Sequence, residues 1–264
     1  MLKGAIHIHS TYSDGELTLA ELRELYTGLG CSFVFMTDHA EAFDEKRLDA
    51  YVKETEALSD DRFRFVAGLE YECERRMHVL GYGVTALAGS TDPQRVIGHI
   101  RSNGGVSVIA HPMDGMFDWI ERFEELPDGI EVWNSKYDGR YAPRPGTFRL
   151  LYRLQERRPR MLAFYGQDMH WKKQYRGLFN VVESTSPAIE ALLAAVKDGK
   201  YHAVKGELML PSNGGLTDAM LGRFGSANAR SARRRGWIKT VKRALDRVGV
   251  AVPASLKAQV RRIF

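Results

Sequence analysis

The order of hydrophobic and polar positions predicts strands and helices that alternate along most of the chain. Short apolar runs suit buried strands, and longer stretches with apolar residues three or four apart suit helices. The predicted strands cover residues 3–9, 32–37, 64–69, 77–82, 106–110, 130–133, 161–165 and 202–205, and the predicted helices cover residues 18–30, 45–58, 93–103, 117–124, 147–156 and 188–197. This alternation is typical of an α/β fold in which parallel strands are covered by outer helices.

His, Asp and Glu, the residue types that commonly bind metals, lie at the ends of five of the predicted strands. The segments are AIHIHS, FVFMTDH, VAGLE, VIAHP and AFYGQDMH. Barrel enzymes place their active sites at the carboxyl ends of the strands. A doubly wound sheet would gather such side chains only at one crevice. Contributions from so many strands favour a ring of strands, so we expect a TIM-like barrel over residues 1–211.

The C-terminal part of the chain has a different pattern. Residues 212–235 are rich in Gly, Ser and Arg, which predicts a linker. Residues 236–264 predict a basic amphipathic helical tail, because apolar and basic side chains fall on opposite faces at helical spacing. In its first helix the apolar face holds Trp237, Ile238, Val241, Ala244, Leu245 and Val248, and the other face holds Lys239, Lys242, Arg243 and Arg247.

Charge is distributed unevenly along the 264 residues, whose net formal charge is +5. Residues 216–264 hold twelve Lys/Arg against two Asp/Glu, so the body of the protein is mildly acidic and the tail is strongly basic. A tail of this kind, residues 230–264, could bind an anionic membrane surface or nucleic acid. The alternative is that its helices pack on the body and leave their charged faces in water.

The cysteine content and the start of the chain bear on its location. Cys31 and Cys73 have no zinc-type spacing and are too few for a disulfide framework. We see no leader sequence before the first histidines, and no apolar run approaches the ~20 residues that span a bilayer. We expect a cytoplasmic protein, peripheral to the membrane if the tail binds lipid. The oligomeric state stays open.

Six of the eight histidines lie at predicted strand ends together with three carboxylates. Because residues i and i+2 of a strand point the same way, His7 and His9 can hold one metal side by side, and so can Asp168 and His170. The nine candidate ligands are His7, His9, Asp14, His39, Glu70, His78, His111, Asp168 and His170. Nine nitrogen and oxygen ligands exceed the four of one zinc, so we expect two or three divalent ions of Mn, Fe or Zn. Glu70 and Asp168 are the natural bridges between ions.

These motifs together resemble the PHP (polymerase and histidinol phosphatase) domain family. The matching segments, in the order in which the family has them, are HIHSTYSDG at 7–15, TDH at 37–39, GLEYE around residue 70, HVLGY at 78–82, AHP at 110–112 and GQDMH at 166–170. The resemblance implies a distorted (β/α)7 barrel that holds a two- or three-metal centre. It also implies a phosphoesterase in which a metal-bridging hydroxide attacks a phosphate ester, with a small phosphomonoester or a nucleotide as the substrate.

The resemblance also distributes the ligands. It implies that His7, His9, Glu70 and Asp168 hold one ion, that Glu70, His78 and His111 hold a second, and that Asp14, His39 and His170 hold a third. Every position carries a competent ligand, which argues against a degenerate, structural copy of the domain. One departure concerns the substrate: only eight residues separate Glu70 from His78, so a tight hairpin replaces a segment that is longer in many relatives.

Other residues are candidates for binding phosphate or moving a proton. Lys136, Arg140, Arg144 and Arg176 lie in loops after predicted strands and could bind a phosphate, although a solvated basic loop explains them equally well. Asp168 and His170 are the candidates for proton transfer. Asp38 could orient a ligand or simply cap its strand.

Two rival functions remain open. An amidohydrolase-like hydrolase could use the same metals, but no lysine lies at a strand end near Glu70 to act as the bridging residue of those enzymes. A metal-stabilised scaffold without activity, tethered through its basic tail, is the other alternative. The chain contains no fused polymerase region, so we expect no proofreading role within a polymerase.

Overall fold

The computed structural model describes residues 1–138 and 142–247, apart from the side chains of residues 235, 238–239 and 241–247. The twelve strands of these residues are β1 (Leu2–Ile8), β2 (Phe33–Met36), β3 (Asp38–His39), β4 (Arg64–Val66), β5 (Gly68–Cys73), β6 (Met77–Tyr82), β7 (Val106–Ala110), β8 (Gly129–Asn134), β9 (Leu162–Gly166), β10 (Phe179–Val182), β11 (Tyr201–Lys205) and β12 (Leu208–Pro211). The mixed α/β class expected from the sequence is confirmed.

Seven α-helices accompany the strands in the same described ranges. They are α1 (Leu19–Gly28), α2 (Glu45–Ala57), α3 (Pro93–Ser102), α4 (Phe117–Ile120), α5 (Pro145–Arg157), α6 (Ile189–Lys197) and α7 (Asp218–Arg247). The capping box expected at the first helix is present, since the Thr18 side chain accepts from the Glu21 backbone N–H and the Glu21 side chain accepts from the Thr18 backbone N–H. Helix α4 is much shorter than the predicted helix over residues 117–124.

The strands form two six-stranded sheets. The first sheet has the order β12-β11-β10-β1-β2-β4, and the second has the order β3-β5-β6-β7-β8-β9. Strand β1 runs parallel to β2, and β7, β8 and β9 are parallel to one another. The two sheets meet where the chain leaves β9, because the Gln167 backbone N–H donates to the Ile6 carbonyl at 3.0 Å and the His9 N–H donates to the Met169 carbonyl at 3.1 Å.

The strand directions differ from the expected ring of parallel strands. Strand β6 is antiparallel to both β5 and β7, and β10 is antiparallel to β1. The first reversal has a simple cause: a three-residue turn, Glu74–Arg76, joins β5 to β6, which is too short for the helical crossover that parallel neighbours require. Antiparallel neighbours are therefore built into the part of the fold that carries Glu70 and His78.

The chain after residue 211 also differs from the prediction. Helix α7 begins at Asp218, so most of residues 212–235 are helical instead of an irregular linker. Buried Leu221 and Phe224 explain the difference, because they pack the start of this helix against the core. The division of the chain into a body and a tail stays a prediction, and residues 248–264 of the expected tail lie outside the described residues.

One contiguous core fills the space between the sheets and the helices. Its largest fully buried side chains are aromatic, among them Trp133, Tyr26, Tyr82 and Phe164. Both cysteines are buried and unbonded. Among the described residues, no helix is both long enough and apolar enough to cross a membrane.

Candidate metal centre

The two histidines at the end of the first strand, His7 within it and His9 just after it, both point into the molecule, although the backbone is not regular between them. His7 has a φ of 61°, and the pairing of β1 with β2 shifts register between Ile6 and Ile8. The local bulge re-aims the His7 side chain, as bulges beside functional sites commonly do. Both imidazoles are fully buried, so the expectation that they lie side by side is met through a bulge and not through simple alternation.

Two further ligand candidates stand on left-handed backbone directly after parallel strands. His111 follows β7 with a φ of 28°, and Asp168 lies two residues beyond β9 with a φ of 51°. Asp168 and His170 were expected on a strand, but β9 ends at Gly166 and both residues lie in the segment after it. Left-handed backbone is uncommon for residues other than glycine and concentrates at functional sites.

Glu70 lies at the middle of the cluster and contacts five imidazoles. Its Oε1 lies 2.7 Å from Nδ1 of His78 and 3.3 Å from Nε2 of His111. Its Oε2 lies 3.1 Å from Nε2 of His9, 3.3 Å from Nε2 of His7 and 3.7 Å from Nδ1 of His39. A carboxylate with two oxygens in separate groups of imidazoles has the arrangement that a bridging ligand needs.

A second carboxylate, that of Asp14, lies on the open side of the cluster and is surrounded by three imidazoles. Nε2 of His170 lies 3.1 Å from Oδ2 of Asp14, while Nδ1 of His9 and Nε2 of His39 lie 3.5 Å and 3.7 Å from Oδ1. The cluster thus offers four overlapping groups whose ligand atoms lie within 4.8 Å of one another: His9, Asp14, His39 and His170; His7, His9 and Asp168; His7, Glu70 and His111; His39, Glu70 and His78. All nine predicted ligands belong to at least one group.

The electrostatics of the cluster follow from many charges packed into a buried volume. Burial alone would raise the pKa of Glu70, but the imidazoles of His7, His111 and His78 hold it well below its usual value. Burial lowers the pKa of His170, but hydrogen bonds with Asp14 and Asp168 raise it to about 9. The carboxylates are therefore ionised at neutral pH, which is the form that binds a cation.

His9 tests whether these residues fit a metal. Its imidazole is fully buried, and burial lowers its pKa to about 4 in spite of the opposing effect of Glu70, so the ring is neutral. Neither ring nitrogen has a hydrogen-bond partner among the described groups, although carboxylate oxygens lie nearby. Buried polar atoms are almost always bonded, and a neutral imidazole with a free lone pair is the form that ligates divalent metals. The donor set therefore fits divalent cations.

Glu131 is a component of the site that sequence reasoning missed. This fully buried carboxylate on β8 accepts from Nδ1 of His7 at 2.8 Å and from the backbone N–H of His111 at 2.9 Å. It also accepts from Nδ2 of Asn134 at 2.9 Å, and the same Nδ2 donates to Oδ2 of Asp168 at 3.1 Å. Glu131 thereby orients two ligand candidates directly and a third through Asn134, as carboxylates behind metal-binding histidines commonly do.

Gly166 gives the Glu131 carboxylate its space. A Cβ built on Gly166 would lie 1.7 Å from Oε1 of Glu131, closer than any side chain permits. The sequence did contain a sign of the role of Glu131, because it is a lone acidic residue within the apolar strand GIEVWN. An unpaired carboxylate is rarely buried, so a carboxylate in such a strand is expected to have a partner. This glycine and this carboxylate form one structural unit behind His7.

Asp38 orients the loop that carries Asp14. This buried carboxylate accepts from the Ser10 backbone N–H at 2.8 Å, from the Ser10 hydroxyl at 2.9 Å and from the Ser13 hydroxyl at 2.7 Å. Of the two roles left open for Asp38, these contacts favour a positioning role, because Ser13 directly precedes Asp14. Burial raises the pKa of Asp38 in spite of these hydrogen bonds.

The four predicted phosphate-binding residues have different positions. Nζ of Lys136 lies 3.1 Å from Oδ1 of Asp168 and 3.3 Å from Nδ1 of His170, at the edge of the cluster. The Arg144 guanidinium is paired with Asp138 and donates to the Pro112 carbonyl at 2.7 Å. Arg176 donates to carbonyl groups of its own loop, and Arg140 lies outside the described residues. Lys136 is thus the cation that the described structure brings to the metal centre.

The comparisons with known proteins concern parts of the chain and its fold. No protein-family model matches the chain. A curated relative, the DNA polymerase/3'-5' exonuclease PolX of Bacillus subtilis, is 33% identical over 79 residues, which cover 27% of this chain and 14% of that polymerase. This chain therefore accounts for a small part of that relative's length.

Two solved structures share the fold. A two-domain protein from Bacteroides vulgatus that contains a predicted PHP-like metal-dependent phosphoesterase matches with a TM-score of 0.53 and 17% identity, over 79% of this chain and 66% of that chain. PsfC from Pseudomonas syringae matches with a TM-score of 0.50 and 13% identity, over 88% of this chain and 98% of that chain. The resemblance to PHP-like metal-dependent phosphoesterases that the motifs indicated is confirmed at the level of the fold.

Proposed function

We propose that this protein is a metal-dependent phosphoesterase that hydrolyses a small phosphomonoester or a nucleotide. The observation that carries the proposal is the gathering of nine ionisable ligand candidates around the buried carboxylate of Glu70, with the Lys136 ammonium at their edge. In the same proposal the two joined sheets correspond to the distorted barrel that the motifs imply. Two or three divalent ions of Mn, Fe or Zn are the cofactor that suits these nitrogen and oxygen ligands.

Metal ions bound to these ligands would supply Lewis-acid charge for the phosphoryl oxygens and a nucleophile at neutral pH. The protein's own contribution begins with the ligands, which Glu131, Asn134 and Asp38 hold in place through hydrogen bonds. Such preorganisation lowers the activation barrier of hydrolysis, because the ligands do not have to rearrange during the reaction.

Lys136 is the proposed phosphate-binding residue. Its ammonium lies beside Asp168 and His170, on the side of the cluster where the loop after β8 leaves it partly exposed. A phosphoryl oxygen can take the place of a carboxylate oxygen as the partner of this ammonium, because both are anionic acceptors. Asp168 and His170, which share a 3.2 Å contact, are placed to pass a proton at the same edge.

The amidohydrolase-like alternative rests on Lys136 as well, since the structure brings a lysine to the cluster where the sequence indicated none. Its ammonium contacts Asp168, however, while Glu70 occupies the position between the ligand groups. The phosphoesterase is therefore our first choice. The scaffold alternative has no support from the intact set of ligands.

A metal and substrate screen tests the proposal. The protein is purified anaerobically, its metals are measured by mass spectrometry, and phosphate release is assayed on histidinol phosphate, nucleoside 3′,5′-bisphosphates and a 5′-phosphorylated oligonucleotide, with amides and lactones as further substrates. We expect at least two metals per chain and phosphate release that disappears with a chelator and in His111→Ala. The matched control is His202→Ala, on β11 outside the cluster. Hydrolysis of amides or lactones alone would favour the amidohydrolase alternative.

A further inference from the structure

Large apolar side chains are exposed around the mouth of the metal centre. Met113, Tyr137 and Trp171 are 51%, 53% and 41% exposed, and each follows closely on a strand that ends at the cluster. They are three of the seven large hydrophobic side chains that are exposed in the described part of the chain. Single exposed apolar residues are ordinary, but a group of them around one opening marks a binding surface. We call the two aromatic residues, Tyr137 and Trp171, the aromatic rim.

Tyr137 lies directly against one end of the cluster. Its ring centroid is 4.6 Å from that of His111, with the two planes inclined by 47°. Nζ of Lys136 lies 5.1 Å from the centre of the same ring. More than half of Tyr137 remains exposed beside these two contacts, so its ring is accessible to a ligand that reaches the cluster.

Trp171 has the corresponding position at the other end. Its ring lies 5.8 Å from that of His170, and Nζ of Lys173 lies 5.3 Å from the Trp171 ring centre. Each exposed aromatic ring therefore has a metal-ligand candidate on one side and a lysine within cation–π distance. Flat aromatic surfaces with adjacent cations suit a ligand that combines a planar ring with negative charge.

We propose that the aromatic rim is a leaving-group subsite that stacks on a planar ring, so that the substrate is a phosphate ester bearing an aromatic group and not a sugar or alkyl phosphate. This inference rests on the proposed phosphoesterase function. The phosphoryl group lies at the cluster beside Lys136, and the ring extends outward against Tyr137 or Trp171.

A matched pair of substrates tests the subsite. Benzyl phosphate and cyclohexylmethyl phosphate have leaving groups of similar size and basicity, and only the first carries a planar ring. For the unmodified protein we expect kcat/KM to favour benzyl phosphate on the order of tenfold. Tyr137→Ala and Trp171→Ala should raise KM for benzyl phosphate several-fold more than for the cyclohexylmethyl ester, whereas Tyr137→Phe should retain the preference. Met209→Ala, an exposed residue on β12, is the control.

Fluorescence quenching separates the failure of this inference from failure of the proposed function. Adenosine monophosphate should quench the intrinsic fluorescence more strongly than ribose 5-phosphate does, and the difference should disappear in Trp171→Phe. Equal kcat/KM for the two esters, together with no ring-selective quenching, would overturn the subsite even if phosphate is released. Ring-selective quenching without turnover of any ester would keep the subsite and overturn the phosphoesterase.

Discussion

Glu131 and His7 form a hydrogen bond of 2.8 Å between two fully buried side chains that are 124 residues apart in the sequence. The carboxylate fixes Nδ1 of the imidazole as a donor and turns Nε2 towards Glu70 and Asp168. A single strand residue thus determines the tautomer and the direction of one ligand candidate and contacts the backbone of another, His111. This relationship is open to direct measurement.

Replacing Glu131 should weaken metal binding without unfolding the protein. In Glu131→Gln the amide group keeps its volume, but its NH2 replaces one of the two carboxylate oxygens and so faces a donor, at either His7 or the His111 backbone. We expect metal affinity to fall about 10- to 100-fold. Competition with a fluorescent chelator measures the affinity on metal-stripped protein. Glu207→Gln, in the exposed turn before β12, is the control, and equal affinities for the two variants would contradict the role of Glu131.

Adding a methyl group at Gly166 should disturb the same carboxylate. The Cβ of Gly166→Ala would collide with Oε1 of Glu131, so the free energy of unfolding should fall by about 1–3 kcal/mol. Urea unfolding measures the loss, and Gly89→Ala, which has open space around it, is the matched control. Because the closest contacts are with Glu131, and the next is with Cβ of His7 at 3.0 Å, Gly166→Ala should cost less in a Glu131→Ala background. A loss that is the same in both backgrounds would mean that the strain lies elsewhere.

Asp14 and Glu70 should differ in how many ions depend on them. Asp14 belongs to one group of ligand candidates and is 55% exposed, whereas Glu70 belongs to two groups and is buried. We expect Asp14→Asn to lose one metal ion per chain and Glu70→Gln to lose at least two. Mass spectrometry after equilibration with Mn gives the stoichiometry. An Asp14→Asn variant that retains the full metal content would remove Asp14 from the ligand set.

The stability of the metal-free protein should depend on pH through His170. The pKa of His170 in the folded protein is about 9, above the value of about 6.5 in an unfolded chain. This stabilisation is complete below pH 6.5 and is lost as the pH rises through 9, because the folded state binds the proton more tightly. The free energy of unfolding should therefore fall by roughly 3 kcal/mol between pH 6 and pH 9.5. Urea unfolding with a chelator present should show a clearly smaller slope in His170→Ala than in His202→Ala, and the remaining slope belongs to His7 and His78, whose pKa values are also raised.

The sequence predicted most strands and helices and all nine members of the cluster because their signals are local. An apolar run followed at once by His or Asp, as at Ile109–His111, identifies both the strand and the ligand candidate. Strands β10 and β12 were missed because each is only four residues long. The partner of β10 is β1, far away in the sequence, whereas β12 pairs with β11 across a two-residue turn. Tertiary contacts determine such short strands more than their own composition does.

Other features could not be read locally for the same reason. Glu131 is visible in the sequence as a lone acidic residue in an apolar strand, but its role is not visible until Gly166 and His7 are placed beside it. Arg144 is of a residue type that commonly binds phosphate, but its guanidinium pairs with Asp138. Burial raises the pKa of Asp138 to about 6, although the nearby Arg144 opposes this effect. Helix α7 resembled a linker because its glycines outweighed Leu221 and Phe224, whose contacts are with the core.

The left-handed backbone at His7, His111 and Asp168 has a consequence for how long the protein survives. Each such residue holds a conformation that the chain leaves when nothing constrains it, at a conformational cost of about 1 kcal/mol or more. A divalent cation bound at each of these side chains would provide the constraint. A cell starved of that cation would therefore lose the polypeptide itself to proteases, beginning where β1, β7 and β9 end, and the amount of this protein would follow the metal supply.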